Sequence, residues 1–142
     1  MNLYRLIYSS YGKANLSYHD LTEIMQKSDK NNQHDGITGM LCYGDSVFLQ
    51  ILEGDRAVVS KTFQRISRDT RHHSPELIEF VPIESRLFVE WSMKAVNLGQ
   101  LKSEKVKKLL LKYSPSTTLK PSSMTGKQCI NLMQELAEFY EQ

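Results

Sequence analysis

The chain has little of what builds stapled, metal-bound or membrane-embedded proteins. Its 142 residues include only two cysteines, Cys42 and Cys129, far apart in sequence. No Cys-x-x-Cys occurs and no histidine stands at zinc-finger spacing, so neither a disulfide framework nor a structural zinc site is indicated. A reduced, cytoplasmic chain is the expectation. No apolar run approaches the roughly 18 residues that cross a bilayer. The stretch MNLYRLIYSS has one Arg and no small-residue cleavage site, so neither a signal peptide nor a membrane partner is expected. An excess of one charge is also missing: 18 basic against 16 acidic residues leave +2, which gives no ground for a nucleic-acid partner. Neither Gly-x-Gly-x-x-Gly nor Gly-x-x-x-x-Gly-Lys-Ser/Thr is found, and Gly36-Ile37-Thr38-Gly39 is too short for either. No Ser/His/Asp or Cys/His catalytic arrangement forms a motif.

What is present reads as one folded domain. Apolar residues make up 40% and charged residues 24%, enough to bury a core. Leu3–Ser10 is a strand pattern. Ser17 then reads as a helix N-cap with Asp20 at N3 and Leu16 and Leu21 as a hydrophobic staple. Leu21, Ile24, Met25 and Ser28 follow at i, i+3, i+4 and i+7, one face of a helix that Asn31, Asn32 and Gly36 end. Ile37–Tyr43 and Val47–Leu52 are strands joined by the hairpin signal Gly44-Asp45-Ser46. A second helix after Gly54-Asp55 carries Val59, Phe63 and Ile66 on one face and stops at Ser74-Pro75. Leu77–Ile83 and Leu87–Val96 are further strands, the first pushed toward a sheet edge by Pro82. The order predicts an α+β fold, a ferredoxin-like βαββαβ sheet with an extra strand. Past Gly99, Leu101–Tyr113 and Thr125–Tyr140 read as helices. Val47–Leu52 is apolar on both faces, and the first two helices cover only one. The C-terminal helices or a partner chain should cover the other, so residues 1–98 and 99–142 are expected to form a sheet-and-helix unit and a helical extension of one compact body.

Several polar groups do not suit a plain core. Gln50 shares a strand face with Phe48 and Leu52, and an unpartnered buried amide costs about 1–3 kcal/mol. Either this face meets solvent or backbone, or a polar ligand lies against it. Tyr8 extends the face of Leu6 and needs a partner if buried. With Ser28, Asn31 and Asn32, these make three amides and two hydroxyls that could converge beneath two helices, with Ile24 and Ile66 as walls. Arg65, Arg68, Asp69, Arg71, His72 and His73 form a basic cluster. It is either a solvated helix end that suits the dipole or a phosphate clamp. Trp91 and Met93 lie on the last strand with Leu87 and Val89.

In order, Tyr4–Ser10, Asn31-Asn32, Gly36–Leu41, Phe48–Gly54, Arg71–Pro75 and Trp91-Ser92-Met93 resemble a BLUF domain, a blue-light sensor that uses FAD. Past Gly99 the resemblance extends to short PixD-type photoreceptors, through Leu111–Ser114 and the final helix, with no departure at the photochemical positions. The resemblance implies a flavin held between the two helices, Tyr8 as electron and proton donor, and Gln50 as the bridge to the flavin. It implies Asn32, Asn31 and Ser28 at the flavin carbonyl edge and Ile24 and Ile66 sandwiching the ring. Arg65, Asp69, Arg71 and His72 would serve the ribityl and phosphate end, and Trp91 and Met93 would relay the signal. It also implies a ring-like homo-oligomer and a response-regulator-type partner, with no catalytic output. Two other functions suit a ferredoxin-like sheet. A flavin-dependent oxidoreductase would need substrate access and a nicotinamide site. An RNA-binding module would need exposed sheet aromatics in an RNP1-type pattern, which Val47–Gln50 lacks.

Overall fold

A computed structural model describes residues 2–90, 93–100 and 103–140. Strand β1 is Leu3–Gly12 and helix α1 is Tyr18–Asp35. The capping box forms as read: Asp20 N–H donates to Ser17 Oγ, and Ser17 N–H donates to the Asp20 carboxylate. α1 does not stop at the asparagine pair. It runs three residues further, and Gly36 ends it in the left-handed conformation at φ 70°. Strands β2, Thr38–Gly44, and β3, Val47–Asp55, are joined by Asp45-Ser46, both at positive φ (53° and 65°). This is the two-residue turn whose twist matches antiparallel strands. Helix α2 is Arg56–Ser67, β4 is His72–Pro82, β5 is Lys94–Asn97, α3 is Glu104–Tyr113 and α4 is Gly126–Tyr140.

The sheet runs β4-β1-β3-β2-β5, with β5 parallel to β2 and the other pairs antiparallel. Two expectations are corrected. β4 begins at His72, before Ser74-Pro75, because the β1–β4 ladder shifts register between Ser9 and Tyr11. That irregularity accommodates Pro75, which has no N–H to donate. Of the predicted strand over Leu87–Val96, Leu87–Glu90 is not strand, Lys94–Asn97 is, and Trp91 and Ser92 lie outside the described residues. Phe88 is buried while Leu87 and Val89 are exposed, the reverse of the expected alternation. The N–H groups of Leu87 and Phe88 go to the Glu53 carboxylate instead of a neighbouring strand.

β3 is buried on both faces from Val47 to Gly54. On the front, Leu6, Leu41, Phe48 and Leu52 pack with Leu21 of α1 and Val59 of α2. On the rear, Ile7, Met40, Leu49 and Ile51 pack with Leu109 and Leu110 of α3 and Leu132, Met133 and Leu136 of α4. The C-terminal helices therefore supply the second cover. Each of those five helical side chains contributes roughly 1.5–3 kcal/mol by burial. Their sum is on the order of 10 kcal/mol, as large as the net stability of a typical domain. Among the described residues no helix is long and apolar enough to cross a membrane.

Candidate cofactor site

Between α1 and α2 the front of the sheet is left open, and a cleft of about 620 Å3 lies there. Strand register builds its floor. Tyr8 of β1 and Leu41 of β2 both stand opposite Gln50 of β3, so the three side chains emerge side by side. Tyr8 and Gln50 are 3% and 2% exposed. The Tyr8 hydroxyl donates to Gln50 Oε1 at 2.5 Å, and Gln50 Nε2 donates to Ser28 Oγ at 3.3 Å and to Met93 Sδ at 3.5 Å. The amide thus faces neither solvent nor backbone: both its ends are engaged by side chains from three other parts of the fold. The Tyr8 ring packs on Phe63 at 5.2 Å between centroids. Burial, and secondarily the Asp69 carboxylate, push the phenol pKa well above its ordinary value, so Tyr8 is a neutral donor.

α1 supplies one wall. Because it continues past the asparagine pair, Ile24, Ser28, Asn31 and Asn32 lie at i, i+4, i+7 and i+8 on one helical face, and all four line the cleft. Asn32 is 1% exposed, and its Nδ2 has no hydrogen-bond partner among the described residues. A buried donor in that state costs about 1–3 kcal/mol, so the side chain is arranged for an acceptor that the protein does not provide. Ile66 of α2 lines the opposite side.

The basic end is more committed than its sequence implies. Arg71 forks onto Asp69, with Nε to Oδ1 at 3.0 Å and a terminal nitrogen to Oδ2 at 2.7 Å, and it also reaches Glu23 at 3.4 Å. The guanidinium beside it holds the Asp69 carboxyl down to about 2. The His72 ring lies between Ser10 Oγ and the Ile66 carbonyl, 2.6 Å from each. A carbonyl only accepts, so Nε2 carries a proton. Arg65 lies 3.7 Å from Asp35 and stays half-exposed at the rim. Arg71 and His72 are therefore tied up in holding the cleft together, and Arg65 and exposed Arg68 are among the freer cations of its lining.

All eleven residues singled out for cofactor binding line this one cleft: Tyr8, Ile24, Ser28, Asn31, Asn32, Gln50, Arg65, Ile66, Asp69, Arg71 and His72. Met93 touches it through Gln50. Trp91 lies outside the described residues. Arg68 of the basic cluster lines the cleft too, and so do buried Thr62, Leu41 and Thr70, which the sequence reading missed. Thr62 lies four residues before Ile66, so the helical period was a usable signal for it.

A family model described as BLUF, sensors of blue-light using FAD, matches residues 3–94. Over 89 residues the chain is 32% identical to photoactivated adenylate cyclase subunit beta of Euglena gracilis, covering 62% of this chain and 10% of that protein. The chain spans about a tenth of the length of such curated relatives. The photo-activated state of BlsA matches with a TM-score of 0.82 at 28% identity, covering 94% of both chains. The dark-state structure of BlrB, a BLUF protein, matches with a TM-score of 0.75 at 30% identity, covering 96% of both. With its sheet, its cleft and this match across residues 3–94, the chain belongs to the BLUF family of blue-light sensors that use FAD.

Proposed function

We propose that the cleft between α1 and α2 holds the flavin and that the hydrogen-bond chain Tyr8–Gln50–Met93 reads its excitation. The observation that carries this is the buried amide of Gln50, bonded at one end to a phenol and at the other to a thioether and a hydroxyl. The fit of the residues to the cofactor rests on Asn32, whose unpaired Nδ2 suits a ring carbonyl, and on a cavity within the roughly 300–1,000 Å3 of cofactor sites. Ile24 and Ile66 give the ring apolar walls, Asn31 and Ser28 line its polar edge, and Arg65 with Asp69, Arg71 and His72 frames the ribityl and phosphate end. When bound, the flavin supplies blue-light absorption and an excited-state electron acceptor.

Tyr8 is the oxidisable side chain, and its hydroxyl proton already lies on the bond to Gln50 Oε1. Gln50 responds by rotating its amide or by tautomerising. Rotation turns Nε2 toward Tyr8, whose oxygen then accepts, and Oε1 toward Ser28 and Met93. The Ser28 hydroxyl can reorient to donate. The Met93 sulfur only accepts, so it loses its partner. Light thus becomes a change at Met93 without a covalent bond to the protein, and Trp91 is placed with Met93 in the relay. Cys42 is buried with its pKa pushed up by desolvation, and it takes no part.

Output then runs through association in the cytoplasm, as a ring-like homo-oligomer with a response-regulator-type partner, and the chain carries no catalytic output of its own. The resemblance to short PixD-type receptors supports this. A signal shifts assembly only through a free-energy difference between states, typically about 1–3 kcal/mol. The absorption spectrum of the purified protein before and after blue light tests the sensor reading. Oxidised flavin bands with a small reversible red shift are expected. A protein that cannot be loaded with flavin, or bands that bleach as a covalent adduct forms, overturns it. Size-exclusion runs in dark and light test the output, and an elution profile indifferent to light, with and without partner, rejects it.

A further inference from the structure

The rear of the sheet holds a charged group that the light response as described does not use. Glu53 is fully buried, three residues beyond Gln50 on β3 and so on the opposite face. Its carboxylate accepts from Arg5 Nε at 2.9 Å, from the Leu87 N–H at 2.9 Å and from the Phe88 N–H at 2.8 Å. Arg86 reinforces the same junction, donating to Thr38 Oγ1, to the Glu53 carbonyl and to the Gly36 carbonyl. A buried ion pair is weak support for stability, since well-packed apolar residues of similar volume serve as well. What a carboxylate adds is direction: it fixes two backbone N–H groups in a stretch without regular secondary structure, where each needs an acceptor. Phe88, so fixed, is seated in the rear core. Five residues on, Met93 sits in the front core and accepts from Gln50. One strand therefore grips this stretch of chain at two points, Glu53 behind and Gln50 in front.

We propose that Glu53 is a positioning residue for the light response: by fastening the Leu87 and Phe88 amides to β3 it sets where Met93 meets Gln50. The proposal rests on the Gln50–Met93 relay put forward above. Its test is Glu53→Leu in the flavin-loaded full chain, which removes the one oxygen, Oε1, to which both amides donate. Should that variant fold poorly, Arg5→Met with Glu53→Met removes both charges together and leaves neither buried alone. Dark-state hydrogen exchange is expected to show about tenfold or greater loss of protection at the Leu87 and Phe88 amides. Thermal recovery of the light-induced spectrum is expected to change several-fold, and that change is expected to vanish when Met93→Ala is already present. Unaltered protection of the two amides overturns the part assigned to Glu53 and leaves the relay standing. A recovery change of equal size with and without Met93 shows that Glu53 does not act through Met93 and overturns the proposal. Parental recovery in Met93→Ala alone overturns the relay and, with it, this role of Glu53.

Discussion

The bond between Tyr8 and Gln50 sets up a quantitative test. Both partners are buried, so removing either strands the other. Tyr8→Phe keeps the ring against Phe63 and deletes only the hydroxyl that Gln50 Oε1 accepts. The orphaned amide oxygen then costs about 1–3 kcal/mol. Gln50→Leu strands the Tyr8 hydroxyl at a similar cost. Its other losses are smaller, because Ser28 is only part-buried and a thioether is a weak acceptor. In the double variant neither polar group remains to be stranded, and replacing both partners by apolar groups is nearly neutral. Each single strands one group and the double strands none, so the double variant should be more stable than the sum of the singles by about 2–6 kcal/mol. That exceeds the 0.3–0.5 kcal/mol or so by which independent sites depart from additivity. Urea unfolding of all four proteins in the dark gives the coupling, provided the slopes agree. The flavin load must be held fixed, since a ligand of the folded state adds its own stabilisation. Additive singles would show that the phenol and the amide do not share a bond worth the name. In the same proteins, and in Gln50→Ala, flavin should remain bound and the normal photoproduct should be lost. A parental photocycle in any of them removes the Tyr8–Gln50 pair from the mechanism.

Four further outcomes are expected. Asp69, held at about 2 by Arg71 against about 3.9 when unfolded, contributes stability that is present above about pH 4 and lost as pH falls toward 2. The pair is partly solvated, so the contribution is under about 1 kcal/mol; Asp69→Asn should flatten acid-side stability in that window, and an unchanged acid limb refutes the pairing. Both thiols should resist alkylation in the folded protein, Cys129 because burial and the nearby Glu79 carboxylate push it up to about 12, Cys42 because burial raises it further; rapid stoichiometric labelling without unfolding would contradict this. Removing residues after Gly99 should bare the apolar rear face and cost solubility, while any soluble fraction keeps flavin photochemistry; a truncated chain that stays soluble and assembles like the full one refutes the packing argument. Gly36→Ala should destabilise by roughly 1 kcal/mol although nothing crowds the position, because φ is 70° there; unchanged thermal stability would rule that strain out.

The elements that the sequence showed clearly are those whose causes are local. The capping box at Ser17 and Asp20 needs four consecutive residues, the Asp45-Ser46 turn needs two, and each formed as read. The doubly apolar β3 announced two covers because parity along a strand is legible without coordinates. The convergence of Ser28, Asn31 and Asn32 was harder. By propensity, paired asparagines end a helix, and it takes Gly36 to carry α1 past them onto the cleft face. What stayed hidden were the long-range ties. Nothing local marks Arg71 as reaching Glu23, or His72 as reaching Ser10. Likewise, the alternating Leu87–Val96 pattern reads as a strand. It fails as one because a carboxylate more than thirty residues earlier takes its amides.

The strand order also dictates how the chain reaches this state. Among the described residues only β2 and β3 are joined by a tight turn, and such a hairpin closes within about 1–10 μs. β1 can pair with β3 only after α1 and the hairpin have been made, and with β4 only after α2. Pairings of that span place folding in the slower range, roughly milliseconds to seconds. At about 5–20 residues per second of synthesis, β1 waits several seconds for β3. The rear of the sheet stays bare longer still, until α3 and α4 have emerged. The strand that bears Tyr8 is thus synthesised first and paired late. Slow translation between β1 and β3 should lower the yield of folded protein and leave the stability of what does fold untouched.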